Sequence, residues 1–235
     1  MPDSNGLVFT LVESGPNISE EEYHDWYDNE HAPARLTIPS FYNATRFKAC
    51  DGVKPTSLTL YDISEPRVAN GPEYQAVFAN GSDRDKRMVS ALQYLTRRSY
   101  SVIYSLSHPK ASASVPPKFV FYVAIEVKPE GEAYFNNWFK EEYIPMIVKT
   151  PGWLRSRIFT LEEHILFRGC VEPEVPVYKY LTIHDFSSDG YMETAEMKAA
   201  TTTLWQNEVM KKVVGREMRH FEFLKAYKCP EKTQM

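Results

Sequence analysis

An internal repeat constrains this chain more than any other feature. Trp26-Tyr27-Asp28-Asn29-Glu30-His31-Ala32-Pro33 returns as Trp138-Phe139-Lys140-Glu141-Glu142-Tyr143-Ile144-Pro145, with Trp, Glu and Pro kept at an offset of 112. Pro39-Ser40-Phe41 matches Pro151-Gly152-Trp153 at the same offset, and Leu58-Thr59-Leu60-Tyr61-Asp62-Ile63-Ser64 aligns with Leu181-Thr182-Ile183-His184-Asp185-Phe186-Ser187. Three matched blocks in one order mean a duplicated supersecondary unit, and such a unit buries its apolar face against a neighbour. Between the copies, residues 109–117 are small residues and prolines, which read as an extended linker. The expected organisation is a module over 1–108, a linker over 109–117 and a module over 118–235.

Each copy reads as β-α-β-β-α-β. In the first, Leu7–Val12 is an apolar strand, and Ser19 with Glu22 forms a capping box that opens a helix. Strands are predicted near 41–49, 57–63 and 98–106, with a second helix near 83–95. The second copy has strands near 119–128, 153–162, 177–186 and 217–227, and helices near 132–149 and 190–214. This is the ferredoxin-like order. Phe119, Phe121, Val123, Ile125 and Val127 fill one face of a strand, while Val120, Tyr122 and Ala124 fill the other. A sheet with one wet face alternates with polar residues; this one does not. The expected fold is therefore α+β: two tandem ferredoxin-like βαββαβ modules pairing sheet to sheet into an intramolecular α/β barrel.

Composition narrows the function. The net charge is −4 and Lys and Arg are scattered, so there is no electrostatic footprint for nucleic acid. No run approaches 18 apolar residues, so no membrane span is expected. Residues 1–6 show no secretion signal. Cys50, Cys170 and Cys229 are widely spaced and odd in number, which argues for no disulfide framework and for a reducing, cytoplasmic home. No metal-ligand spacing, dinucleotide fingerprint or phosphate loop is present, so neither a cofactor nor a metal is expected.

The βαββαβ order and the Trp26-x-x-x-Glu30-His31-Ala32-Pro33 motif resemble the dimeric α/β-barrel superfamily, and within it EthD-like proteins. Members usually build the barrel from two chains, whereas this sequence carries both halves. The second copy departs from the motif, with Tyr143 for His and Ile144 for Ala, so the first half is the expected carrier of chemistry. The resemblance implies an enzyme on a small molecule, and extends to cofactor-independent monooxygenases and haem proteins.

At 100° per residue, Tyr23, Trp26, Tyr27, Glu30 and Ala34 form one helical stripe, and Phe135, Trp138, Phe139, Glu142 and Met146 its counterpart. A carboxylate inside an aromatic stripe needs a partner; Arg46 and Arg157 are candidates. Either a structural acid–arginine pair or a proton carrier of raised pKa fits Glu30 and Glu142. His31 lies at the stripe's edge and is the favoured base, acid or ligand. Pro33 removes a donor and frees the Asn29 carbonyl, so this helix end should be irregular, as should the one at Pro145. His184 projects with Thr182 and Phe186, with Tyr61 in its place in the first half; His164 is expected on a loop. The expected catalytic set is His31, Glu30, Tyr143 and His184. Trp26, Tyr27, Trp138, Phe139, Glu142 and Tyr61 are expected to hold substrate.

Three functions compete. The first is a cofactor-free enzyme of lyase, isomerase or cyclase type, acting on an aromatic or polyketide-like molecule by acid–base chemistry. The second is an oxygen-using monooxygenase or haem-binding protein, with His31 or His184 as axial ligand. The third is a non-catalytic small-molecule-binding protein. Homodimerisation is compatible with all three.

Overall fold

A computed structural model describes residues 4–109, 111 and 115–228. Cys229 and part of the linker, residues 110 and 112–114, lie outside them. The eight strands are β1 (Gly6–Glu13), β2 (Phe41–Ala49), β3 (Ser57–Ile63), β4 (Tyr94–Ser107), β5 (Phe119–Val127), β6 (Trp153–Gly169), β7 (Tyr180–Phe186) and β8 (Val213–Lys228). The helices are α1 (Glu20–Trp26), α2 (Ala32–Leu36), α3 (Pro72–Ala79), α4 (Asp83–Ala91), α5 (Glu132–Trp138), α6 (Ile144–Ile147), α7 (Ala195–Ala200) and α8 (Leu204–Met210).

The fold is α+β with antiparallel strands of ferredoxin-like order. In the first module β1 lies between β3 and β4, and β3 lies between β1 and β2. In the second, β5 lies between β7 and β8, and β7 pairs with β6. The expectation of two sheets covering each other face to face in an intramolecular α/β barrel is corrected. Within each unit the strands are instead neighbours through hydrogen-bonded antiparallel edges. The strands β4, β6 and β8 are long, at 14, 17 and 16 residues.

The two compact units therefore do not follow the repeat boundary. The first holds described residues 4–101, 162–175 and 224–228; the second holds the described part of 102–161 together with 176–223. The second half of β6, where a loop was expected at His164, is strand: His164 Nε2 lies 2.8 Å from Thr96 Oγ1. Gly169 ends β6 at φ +61, and a Cβ there would meet the Gln93 carbonyl oxygen at 1.8 Å, so only glycine fits. The expected helix over 190–214 is two short helices, each capped by a threonine, Thr194 on α7 and Thr203 on α8. The segment between β3 and α4, unassigned from the sequence, holds α3, which Pro72 opens at its first turn.

In each unit helices bury an apolar stripe on one sheet face. Val12, Tyr23, Trp26, Tyr27, Met88 and Leu95 pack together in the first, and Phe121, Phe135, Trp138, Phe139, Ile158 and Val209 in the second. β1 is buried along all eight residues. Among the described residues no helix is long and apolar enough to cross a membrane.

Candidate active site

The helix after β1 does not run at 100° per residue. Residues Tyr27–His31 form a π turn between α1 and α2, with the Ala32 amide donating to the Tyr27 carbonyl. Phe139–Tyr143 repeats it, with Ile144 donating to Phe139. Pro33 and Pro145 explain the position: each lacks a donor and its ring crowds the carbonyl four residues back, and one extra residue in the turn relieves both.

That extra residue rotates everything after it. His31 moves from the stripe's edge to its middle, 4.6 Å from the Trp26 ring and 4.9 Å from the Tyr27 ring between centroids. Glu30 moves outward, where it accepts from Ser82 Oγ, the side chain that caps α4. Glu142 does the same in the second unit, accepting from the α8 cap Thr203 at 2.7 Å. The recurring glutamate is thus a tie between the first helix and the start of the second. The expectation that Glu30 sits in a pocket, paired with Arg46, is corrected. Arg46 instead donates to Asp28 and to His24 Nδ1, and lies over the Tyr27 ring at 4.3 Å.

His31 Nδ1 lies 2.8 Å from Asp85 Oδ1, and the same oxygen accepts from Trp26 Nε1 at 3.0 Å. Arg35 Nη1 is 3.7 Å from Asp85 Oδ2. Burial pushes the Asp85 carboxyl up, but the hydrogen bonds from His31 and Trp26 and the Arg35 charge outweigh it and hold it at about 2. Burial, with Arg35 beside it, pulls the His31 imidazole down to about 4 against the pull of Asp85. At neutral pH the pair is a carboxylate and a neutral ring. An ionised carboxylate only accepts, so Nδ1 carries the proton and Nε2 keeps its lone pair.

His31 lines an open cleft in the first unit with a cavity volume of about 30 Å³. The cleft is narrow and its walls are aromatic. Tyr27 and Tyr61, from α1's end and β3, place their hydroxyls 3.1 Å apart. Burial and the neighbouring Tyr27 hold the Tyr61 hydroxyl well above its ordinary value, so it stays a donor. Tyr74 and Phe78 come from α3 and Phe167 from β6; Phe78 is exposed at the rim. Arg35 and Arg97 bring positive charge to the lining.

The second unit exchanges the two positions. Tyr143 stands where His31 does, and His184 stands where Tyr61 does. The Tyr143 hydroxyl is 3.4 Å from His184 Nε2, and His184 Nδ1 is 2.7 Å from Ser156 Oγ. Ser156 also accepts from Trp153 Nε1 at 2.8 Å. With both nitrogens occupied and no surface exposed, His184 offers no free coordination or base position. Burial pulls its ring down to about 4. Gln206 occupies the position of Asp85, but its Oε1 and the Trp138 Nε1 have no partner among the described residues. Trp138 and Phe139 are core residues here.

The structure therefore brings His31, Trp26, Tyr27 and Tyr61 together. Glu30 turns instead to Ser82, and Glu142, Tyr143, His184, Trp138 and Phe139 belong to the second unit. Sequence reasoning missed Asp85, Arg35 and Arg97. Asp85 had a signal: it is three residues after the cap Ser82, the position whose side chain turns back towards the first helix. Among the described residues no three His, Cys, Asp or Glu side chains gather as a metal site.

No family model matches the chain. It is 23% identical over 217 residues to "Core atranone cluster (CAC) protein 1" of Stachybotrys chlorohalonatus, spanning 86% of this chain and 89% of that protein. Its fold is similar to an anthrone oxidase-like protein (TM-score 0.63, 13% identity, 98% of this chain and 96% of the other). It is also similar to a candidate monooxygenase from Fusobacterium nucleatum (TM-score 0.61, 11% identity, 97% and 96%). The EthD-like assignment is corrected accordingly: the class defined is a ferredoxin-like α+β fold shared with monooxygenase-type structures.

Proposed function

We propose that this chain is an enzyme of secondary metabolism that oxidises a small fused aromatic compound with dioxygen in the first unit's cleft. The observation that carries the reading is a neutral histidine with a held Nδ1 and a free Nε2, set among two tyrosine hydroxyls in an aromatic slot. His31 Nε2 takes a proton from an activated methylene group. Of the bonded pair Tyr27 and Tyr61, the hydroxyl that accepts from the other donates its own proton to the oxygen on which the carbanion's charge gathers. The carbanion adds to dioxygen, and the proton held by His31 completes a hydroperoxide. Loss of water, which takes the second C–H proton, leaves a carbonyl. The reaction balances: one methylene group and one dioxygen give one carbonyl and one water, with one oxygen atom in each product. The anthrone oxidase-like fold and the relative named for the core atranone cluster support this reading over one without oxygen.

Anthrone tests it, with an oxygen electrode, absorbance of the quinone and deuterium loss from the labelled methylene group. Oxygen uptake that falls at least ~100-fold in His31→Ala supports the reading, since acid–base groups contribute that much. Deuterium loss without oxygen uptake replaces oxygenation by proton transfer alone, the chemistry of an isomerase or cyclase. Oxygen uptake unaffected by His31→Ala removes the histidine from the reaction.

A further inference from the structure

Arg97 has no structural role that uses its whole side chain. It enters the cleft from β4, opposite Thr10 of β1, and only 3% of its surface is exposed. Nη2 donates to Glu163 at 3.1 Å, while Nε and Nη1 are buried with no acceptor among the described residues. Glu163 also accepts from Asn70 at 3.1 Å and stands half in solvent, so it holds one corner of the guanidinium. The rings of Tyr74 and Phe167 lie 4.6 and 5.3 Å from the guanidinium carbon. Rings cover the faces of a guanidinium; its N–H donors point along the edge, in its own plane. Buried donors of a charged group are rarely left without acceptors, and a ligand oxygen or an ordered water supplies them where the protein does not.

Arg35, the other cation of the cleft, is already engaged by Asp85 and by the His31 carbonyl. Arg97 sits apart from the histidine. Tyr61 is opposite Val8, and Arg97 is opposite Thr10, the next residue of β1 on the same face. Two strand spacings across and two residues along put their Cα atoms ~12 Å apart. A fused aromatic skeleton bridges such a gap.

We infer that Arg97 is the anchor for an anionic oxygen, a carboxylate or an ionised phenol, on the end of the substrate far from the carbon that His31 deprotonates. The anion takes the vacant guanidinium donors, and the rings of Tyr74 and Phe167 stack against the aromatic skeleton behind it. This rests on the oxidation reading for the identity of the far end, but binding tests it separately. Because the cleft is narrow, Phe78 and Phe167 move aside on entry.

The test is equilibrium binding to the full chain, read by quenching of tryptophan fluorescence. Anthraquinone-2-carboxylate is compared with anthraquinone-2-carboxamide, and 2-hydroxyanthraquinone is measured on both sides of its phenol titration. Wild type should favour an ionised form by ~10-fold or more, the value of one charge-assisted hydrogen bond. Arg97→Gln should erase that preference while carboxamide binding stays; Arg97→Lys should keep part of it, which guards against a merely misfolded Gln variant. A preference for the carboxylate names a carboxylate substrate, and one seen only above the phenol titration names a phenol. Equal binding of charged and neutral forms by wild type, or a preference that survives in Arg97→Gln, overturns the inference. Preference without any oxygen uptake defeats the oxidation reading and leaves the anchor standing; uptake without preference does the reverse.

Discussion

His31 should make this protein sensitive to acid in a pH range where most proteins are at their most stable. Its imidazole binds a proton near 6.5 in the unfolded chain and near 4 when folded, because burial and Arg35 disfavour the charged ring. The unfolded chain therefore holds more protons at this site between those limits, and stability falls as pH falls through them. The contribution is complete above pH 6.5 and gone below about 4. At 1.36 kcal/mol per pH unit the difference is worth ~3 kcal/mol. His184 has the same depression for the same reason and adds a similar loss over the same range. The informative perturbation is His31→Gln, which keeps a side-chain donor for Asp85 but cannot titrate. Urea unfolding of wild type and variant at pH 7.5 and 4.5 gives the comparison. Wild type should lose ~3 kcal/mol more than the variant across the interval. In a chain of this size that is a drop of roughly 6–12 °C more in melting temperature. The same neutral ring should keep kcat/KM level as pH drops through 6.5, with no acid limb at the ordinary histidine value. Parallel loss of stability in the two proteins would refute the assignment, because the ring would then titrate alike folded and unfolded.

Three further substitutions separate the site from its frame. Asp85→Asn leaves Arg35 buried without its counter-charge and should cost ~3 kcal/mol in urea unfolding, with turnover reduced because Nδ1 is no longer held by a carboxylate; retained stability would mean Arg35 is neutralised elsewhere. Tyr27→Phe and Tyr61→Phe each strand the other's buried hydroxyl at a cost of ~1 kcal/mol, and the double variant should lose clearly less than both together; additive losses would deny the bond. Tyr143→Phe should leave turnover unchanged, since its hydroxyl meets only His184 in the second unit; a collapse in turnover would bring the second unit into the chemistry.

What the sequence revealed and what it hid have a common physical source. The duplication, the βαββαβ order and the prominence of His31 are local patterns, and local patterns survive in a single sequence. The choice between Glu30 and His31 is not local in that sense. It depends on the helix adding a residue between Tyr27 and Ala32, and a helical wheel at a fixed angle cannot show that. Pro33 was legible as a disturbance, but only the π turn says which way the following residues rotate. Asp85 reaches His31, and Arg97 the cleft, by tertiary packing from the start of α4 and from β4, with no motif linking either to His31. The ends of β6 and β8 belong to the first unit although they come from the second repeat, so a reading by repeats could not place Phe167 in the cleft.

The exchange of residues between the units decides where a histidine keeps a free ring nitrogen. Both units carry one residue of the pair on the π turn and the other on the third strand, but in opposite order: His31 and Tyr61 in the first, Tyr143 and His184 in the second. In the first order the histidine has a carboxylate behind it, Asp85, reached from the next helix, and its outer nitrogen faces free space. In the second order the histidine is on the sheet, under the helix, where Ser156 and Tyr143 take both nitrogens. Gln206 in the place of Asp85 is neutral and could not hold an imidazole proton in the same way. The two changes fit together. Once the histidine leaves the helix, a carboxylate at the helix start would be a buried charge without a partner, which is costly; once the carboxylate is gone, a histidine on the helix loses the group that fixes its tautomer. Restoring only one member of the pair, by Tyr143→His or Gln206→Glu alone, should therefore lower stability, while the two together recover part of the loss. An additive result would mean that the exchange of rings and the loss of the acid are unrelated.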